Sequence, residues 1–241
     1  MPSSERPVAD APAAAPGQPA DAAITASPRA LKIDFVSDVV CPWCAIGLAA
    51  LEQAITRLGD AVTVAIGFQP FELNPQLPPE GEDAIEHLMR KYGMPLAQVE
   101  ANREAIRARG AALGFEFRMD RRSRVVNTFD AHRLLHWAAI EGRQRALKQV
   151  LLTAYFRDGA DVSDHATLAR LAGAAGLDAG AARSVLAAAT YAAEVRARER
   201  FYTELGIRAV PSVIVDERHL IQGGQPVEAF EAALRQLAGL A

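Results

Sequence analysis

The chain has 241 residues, half of them hydrophobic, and its 26 Lys and Arg against 29 Asp and Glu leave a formal net charge of −3. That length and apolar content allow a sizeable core in one or two domains. The charge balance argues against nucleic acid or a membrane surface as a partner, and an apolar run of about 18 residues, long enough to span a bilayer, is missing.

The first 30 residues are rich in alanine and proline and almost lack large apolar side chains. Such a segment cannot bury enough apolar surface to fold, so residues 1–30 are predicted to be a disordered tail. The segment also lacks the basic stretch followed by an apolar run that marks a secretory signal. We therefore expect a cytoplasmic protein.

A strand and a helix follow the tail. Apolar and polar residues alternate from Leu31 to Phe35, which is the period of a half-buried strand. Apolar residues then recur at helical spacing, at Leu48, Leu51, Ile55 and Leu58.

Both cysteines of the chain lie between this strand and this helix, in Cys41-Pro42-Trp43-Cys44. Cys41 is thereby placed at the helix N-terminus, where unpaired N–H groups and the positive end of the helix dipole stabilise a thiolate. Pro42 suits the first helical position, because its missing N–H costs nothing there. We expect Cys41 to be the exposed, attacking thiol and Cys44 the shielded, resolving one.

Three other interpretations of the two cysteines stay open. A zinc site needs four ligands, and no second cysteine pair exists to complete one. A structural disulfide closing so short a loop removes little chain entropy. Two inert core cysteines are the third alternative. A redox pair is favoured over all three, and it suits a reducing cytoplasm in which thiols cycle.

The remaining pattern contains strands at both ends of a helical block. Alternation over residues 62–68 predicts a second strand, and residues 81–205 are mainly helical in pattern. Two short strands at 212–216 and 218–222 precede a final helix opened by Pro226. The predicted class is α/β: a thioredoxin fold (β-α-β, then β-β-α) with a large inserted α-helical domain. The thioredoxin-like domain would comprise residues 31–75 and 206–241, and the inserted domain residues 76–205.

Four segments carry a resemblance to a known family: DFVSDVVCPWC (34–44), FELNP (71–75), NTFDAHRL (127–134) and GIRAVP (206–211). They resemble the FrnE-like branch of the DsbA thioredoxin-fold oxidoreductases over about residues 31–237. The resemblance implies a thioredoxin fold with an inserted helical domain and thiol–disulfide exchange. The same broad group includes 2-hydroxychromene-2-carboxylate isomerases and kappa-class glutathione transferases, which typically carry serine in place of the first cysteine, so Cys41 departs from their pattern.

The resemblance also implies a substrate-binding set around the cysteines. Val210-Pro211 matches the family's cis-proline position beside the CxxC, where the backbone of Val210 would pair with a substrate chain; an ordinary trans proline opening a strand is the alternative. Pro42 and Trp43 belong to the same surface. Asn127 and Thr128 would lie near the cleft, although helix capping alone could explain both.

Several other polar residues are weaker candidates. Asp38 and Glu72 could carry protons near the thiols, but surface carboxylates are the favoured interpretation. His132 and His136, spaced i, i+4, could bind a metal, yet no third ligand lies nearby in sequence, so no metal site is predicted. The basic run Arg121, Arg122 and Arg124 is more typical of a solvated face than of an anion site.

The sequence therefore predicts a thiol–disulfide oxidoreductase that needs no bound cofactor, with glutathione as a conceivable co-substrate. Its partners would be protein or small-molecule thiols and disulfides. Two alternatives are kept: a glutathione-dependent isomerase or transferase acting on a small aromatic molecule, and a chaperone-like binding protein without turnover. The direction of the redox reaction and the oligomeric state stay open, a homodimer included.

Overall fold

The computed structural model describes residues 29–240. Its first strand β1 (Arg29–Ser37) leads into helix α1 (Pro42–Leu58), and a short 3₁₀ turn then leads to strand β2 (Val62–Pro70). The two strands pair in parallel from Arg29↔Val62 to Ser37↔Pro70. Parallel strands need such a helical crossover, so the predicted β-α-β unit is confirmed. Residues 1–28 of the predicted tail lie outside the described residues, and Arg29 and Ala30 already belong to β1.

The segment between β2 and the last two strands is mostly helical, but it begins with a small ribbon. Strand β3 (Glu82–Asp83) precedes helices α2 (Ala84–Tyr92) and α3 (Leu96–Ala112), and it pairs antiparallel with strand β4 (Arg124–Val125). Two-residue strands are too short to show an alternating pattern, which is why the sequence did not predict this ribbon.

Five further helices complete the block, in agreement with the helical pattern predicted for residues 81–205. They are α4 (Phe129–Ile140), α5 (Gln144–Thr153, continued by the π turn Ala154–Asp158), α6 (His165–Ala174), α7 (Ala179–Ala187) and α8 (Ala192–Glu204). Asp164 and Asp178 cap α6 and α7 by accepting backbone N–H groups of the first turn. Thr128 stands at the N-cap of α4 without a side-chain bond, while the Asn127 side chain accepts from the N–H of Phe129.

The chain ends with strands β5 (Ser212–Val215) and β6 (His219–Gln222) and helix α9 (Val227–Leu237). β5 pairs antiparallel with β1 and with β6, so the sheet order is β2-β1-β5-β6. This is the predicted α/β thioredoxin arrangement with the helical block inserted between β2 and β5. The exact division into two domains stays a prediction.

The central strand β1 positions the site. Its last five residues are buried, and the following loop packs into a continuous apolar core shared by α1 and the helical block. A loop held by a buried central strand is rigid, so the side chains at its end have fixed positions. No helix within residues 29–240 has the length and apolar character to cross a membrane.

Candidate functional site

The CPWC segment begins helix α1 as the sequence predicted. Cys41 is the N-cap residue, and its carbonyl oxygen accepts from the N–H groups of Cys44 at 3.0 Å and Ala45 at 3.3 Å. Pro42 occupies the first helical position. The side chain of Cys41 therefore lies at the positive end of the helix.

The two thiols are both shielded from bulk solvent, but only one of them borders a cavity. Cys44 is completely buried, and Cys41 is only 3% exposed, so the expectation of an openly exposed Cys41 is wrong. The difference is that Cys41 lies on the wall of a cavity and Cys44 does not. The pKa of the Cys44 thiol is raised well above its ordinary value, mainly by burial and secondly by the nearby Cys41.

Val210 and Pro211 lie directly against Cys41. The Val210–Pro211 peptide bond is cis, as expected, and the Sγ of Cys41 lies 3.7 Å from the carbonyl oxygen of Val210. Gly47 of α1 allows this approach, because a Cβ at that position would lie 3.0 Å from the Cγ of Pro211. The segment that precedes β5 and the start of α1 thus form one surface.

Trp43 forms the outer edge of the same surface. Its side chain remains 39% exposed, and the Arg109 guanidinium lies 5.5 Å from the centre of its ring. Arg109 also donates to the carbonyl oxygen of Gly224 at 2.7 Å, which ties helix α3 to the loop after β6. An exposed aromatic ring next to the nucleophile can contact a substrate chain.

A cavity of 710 Å³ opens beside Cys41 between the thioredoxin-like elements and helices α2 and α3. Its apolar lining includes Trp43, Phe71, Leu73, Leu88, Val99 and Ile106, and its basic lining includes His87, Lys91, Arg103, Arg122 and Arg208. Of the predicted substrate-binding residues, Pro42, Trp43 and Val210 line this cavity, whereas the buried Pro211 and the residues Asn127 and Thr128 do not. Asn127 instead donates to Glu72 at 3.0 Å, and Thr128 is buried.

Asp38 is a fully buried carboxylate three residues before Cys41, so the interpretation as a surface carboxylate is wrong. Its Oδ2 accepts from the N–H of Leu73 at 2.7 Å, and the Nε2 of His132 lies 3.6 Å from its Oδ1. Burial opposes its charge, but His132, the Leu73 N–H and Lys148 together hold the pKa of Asp38 below its ordinary value.

Lys148 is the functional candidate that the sequence did not reveal. Its side chain is fully buried, and no atom of the described residues accepts a hydrogen bond from its Nζ. On the same helix, Arg145 and Gln149 donate to Glu52 of α1 at 2.8 and 3.1 Å. Burial lowers the pKa of Lys148 even though the charges of Cys44, Asp38 and Cys41 act in the opposite direction. The available signal was its spacing, since Leu151 and Leu152 share its helix face.

Glu72 is also buried, with 3% of its side chain exposed, so it is not a surface carboxylate either. Arg196 donates to its Oε1 and Asn127 donates to its Oε2. The Arg196 guanidinium also lies 3.7 Å from the ring centre of Phe129. Because both oxygens are held by hydrogen bonds, Glu72 anchors its loop against helices α4 and α8. That engagement makes it a poor proton carrier.

The two histidines at i, i+4 have separate partners. His132 approaches Asp38, while the His136 ring lies 5.0 Å from the ring centre of Tyr191. Within residues 29–240, no group of three Asp, Glu, His or Cys side chains is arranged to hold a metal ion.

This arrangement can support thiol–disulfide exchange. One thiol at a helix N-terminus reaches a cavity, and a second thiol one turn later is sealed from solvent. Lys148 and Asp38 lie close enough to the second thiol to influence its pKa. An attacking thiolate and a resolving thiol require this division of environments, because only the first must meet the substrate.

The comparisons with known proteins agree with the fold. The chain is 37% identical to a probable DsbA oxidoreductase from Streptomyces coelicolor, whose crystal structure has a TM-score of 0.82 to it over 88% of this chain and 91% of that chain. The uncharacterized protein YwbO of Bacillus subtilis (strain 168) is 28% identical over 209 residues, which cover 85% of this chain and 96% of YwbO. The cytosolic disulfide reductase DsbM from Pseudomonas aeruginosa shares the fold at 20% identity, with a TM-score of 0.61 over 87% of this chain and 100% of that chain. A match to the DSBA-like thioredoxin domain extends over residues 32–235, and the chain therefore belongs to this family.

Proposed function

We propose that the protein is a thiol–disulfide oxidoreductase in which Cys41 attacks and Cys44 resolves. The observation that carries the proposal is the contrast between the thiols, since Cys41 opens into the 710 Å³ cavity and Cys44 lies beneath it in the core. Family membership and the 37% identity to a probable DsbA oxidoreductase support the same reaction class.

The two cysteines supply both electrons that the exchange reaction requires. The Cys41 thiolate attacks one sulfur of a substrate disulfide, forms a mixed disulfide and releases the other sulfur as a thiolate. Cys44 then attacks the Cys41 sulfur, so the enzyme disulfide forms and the second substrate thiolate leaves. Two electrons pass from the cysteine pair to the substrate, and the reverse sequence oxidises a dithiol.

The resolving step needs a proton acceptor, because burial keeps Cys44 protonated. Lys148 is our candidate: burial lowers the pKa of its amine, and Asp38 would stabilise the ammonium that forms when it takes the Cys44 proton. The proton would thus remain in the buried cluster until the product leaves. Substrate thiols in a reducing cytoplasm, glutathione included, remain the proposed reaction partners.

A glutathione-dependent isomerase or transferase is the second candidate, favoured by the partly enclosed, largely apolar cavity beside Cys41. An enzyme of that kind activates a bound glutathione thiolate and has no use for a resolving sulfur. The CPWC pair argues for the oxidoreductase.

The two functions are separated by Cys44→Ser, which changes one atom and leaves Cys41 at the start of α1. We expect Cys44→Ser to accumulate a mixed disulfide on Cys41, detected by mass spectrometry, and to lose disulfide reduction by at least about 100-fold, since resolution requires the second thiol. Cys41→Ser, the matched control, should form no adduct. Unchanged turnover of a chromene-type substrate with glutathione by Cys44→Ser, together with no disulfide reduction by the wild type, would reject the oxidoreductase.

A further inference from the structure

Arg122 behaves differently from the other arginines of its basic run. Arg121 and Arg124 are exposed, as a solvated face requires, but Arg122 is only 9% exposed. Its guanidinium lies 5.3 Å from the ring centre of Tyr155 and 5.5 Å from that of Phe156. The interpretation of the run as a solvated face is therefore wrong at this position.

The guanidinium of Arg122 has no acidic partner. Its Nε donates to the neutral hydroxyl of Tyr155 at 3.1 Å, and no carboxylate within residues 29–240 lies within 4.0 Å of its nitrogens. A guanidinium has five N–H donors, so four remain after this bond. A buried charge without a counter-charge is costly, which makes such a group a ready site for an anion.

Arg122 lines the same cavity as Cys41, and other cations of that cavity are also uncompensated. Lys91 donates to the neutral oxygens of Leu73 and Asn74 at 2.9 and 2.6 Å, and Arg208 donates to backbone carbonyls. The other ionisable lining residues have partners: the His87 ring lies 2.6 Å from Glu82, Arg103 pairs with Glu100, and Glu72 pairs with Arg196. The cavity therefore offers an excess of positive charge to whatever enters it.

We propose that the cavity beside Cys41 is a carboxylate-binding site, and that it selects low-molecular-weight thiols and disulfides that carry a carboxylate. Arg122 pairs with the carboxylate through its planar fork, which suits two-point binding better than an ammonium does. Lys91 adds positive charge near the sulfur end. This inference rests on the proposed oxidoreductase function and assigns a substrate class to it.

The apolar part of the lining agrees with a small ligand rather than with an ion alone. Phe71, Leu88, Val99 and Ile106 cover the hydrocarbon portion that would join the carboxylate to the sulfur. The chemistry is unchanged from the exchange described above. The ligand's sulfur meets Cys41 while its carboxylate is held, so binding raises the local concentration of the reacting group.

The test compares three disulfides as oxidants of the reduced full chain: oxidised glutathione (anionic), cystamine (cationic) and bis(2-hydroxyethyl) disulfide (neutral). Each rate is divided by the rate of the same disulfide with dithiothreitol, which removes intrinsic reactivity. We expect wild type to prefer oxidised glutathione over the neutral disulfide by roughly 10- to 100-fold, the scale of a charge-assisted bidentate contact. Cystamine should react most slowly.

Arg122→Gln should lower the preference for oxidised glutathione, measured as the ratio of its normalised rate to that of the neutral disulfide in the same protein, by about 10-fold. Arg121→Gln, which removes the same charge from the exposed neighbouring residue, should keep the wild-type preference. A wild type without any preference, or an Arg122→Gln protein that retains it, overturns the carboxylate site. Should Arg122→Gln fail to fold, the wild-type ratios decide by themselves. Failure of all three disulfides to oxidise the cysteine pair would instead reject the oxidoreductase function and this inference with it.

Discussion

The Oδ2 of Asp38 accepts a hydrogen bond of 2.7 Å from the backbone N–H of Leu73. Asp38 belongs to the loop that delivers Cys41, and Leu73 belongs to the loop that forms part of the cavity wall. One buried carboxylate therefore fixes the position of Cys41 relative to the cavity wall. Its other oxygen faces His132 of the helical block, so the same residue joins the thioredoxin-like elements to the insertion.

Removing the charge of Asp38 should weaken the fold. Asp38→Asn keeps an oxygen that can accept from Leu73, but it removes the buried negative charge that faces His132 and Lys148. We expect a loss of about 1–3 kcal/mol in the free energy of unfolding, because breaking a buried charge cluster leaves its partners uncompensated. Urea unfolding at neutral pH measures it. Asp60→Asn, at an exposed carboxylate of the 3₁₀ turn, is the control, and equal stability of the two variants would contradict the role given to Asp38.

The fold and the cysteine pair could be predicted because their signals are local. Alternation in β1, helical spacing in α1 and the position of Pro42 each involve residues within one or two turns. The cis Val210–Pro211 bond and its place beside Cys41 came from family resemblance, since nothing local distinguishes that proline from an ordinary one.

The burial of charged groups could not be predicted in the same way. Asp38 meets His132 and Lys148, which lie about a hundred residues away in sequence, only after the helical block has packed on the sheet. Arg122 likewise looks like part of a basic run until Tyr155 and Phe156 enclose it. In each case the environment is created by tertiary packing, for which a single sequence carries no direct signal.

The raised pKa of Cys44 should make the reduced protein less stable at alkaline pH. The folded protein keeps the Cys44 proton to a higher pH than the unfolded chain, whose thiol ionises near about 8.5. Between these two values the folded state binds more protons, so the free energy of unfolding falls as pH rises, by at most about 1.4 kcal/mol per pH unit.

Urea unfolding of reduced wild type and reduced Cys44→Ala from pH 7.5 to pH 10, a range set around the ordinary thiol pKa of about 8.5, would measure this slope. Tyrosines and lysines titrate in both proteins, so the difference between the two curves isolates Cys44. We expect the curves to run in parallel below pH about 8 and to converge or cross above it as wild type loses stability. Parallel curves over the whole range would show that Cys44 has an ordinary pKa.

Lys148→Met tests the proton acceptor. Methionine fills a similar apolar volume, so the core should stay packed, and it removes a buried amine whose Nζ has no hydrogen-bond partner among the described residues. We expect resolution of the Cys41 mixed disulfide by Cys44 to slow by roughly 100-fold, the usual contribution of a positioned general base. Formation of that mixed disulfide should change by less than about threefold, because Cys41 attacks in the first step and Cys44 keeps its proton until the second. Rapid acid quenching followed by mass spectrometry resolves the two steps.

The resolving rate in Lys148→Met should also rise with pH more steeply than in wild type, since hydroxide must replace the missing base. Arg145→Met, on the exposed face of the same helix, provides the control. Equal slowing of both steps, or an unchanged pH profile, would mean that Lys148 serves packing alone and that Cys44 loses its proton by another route.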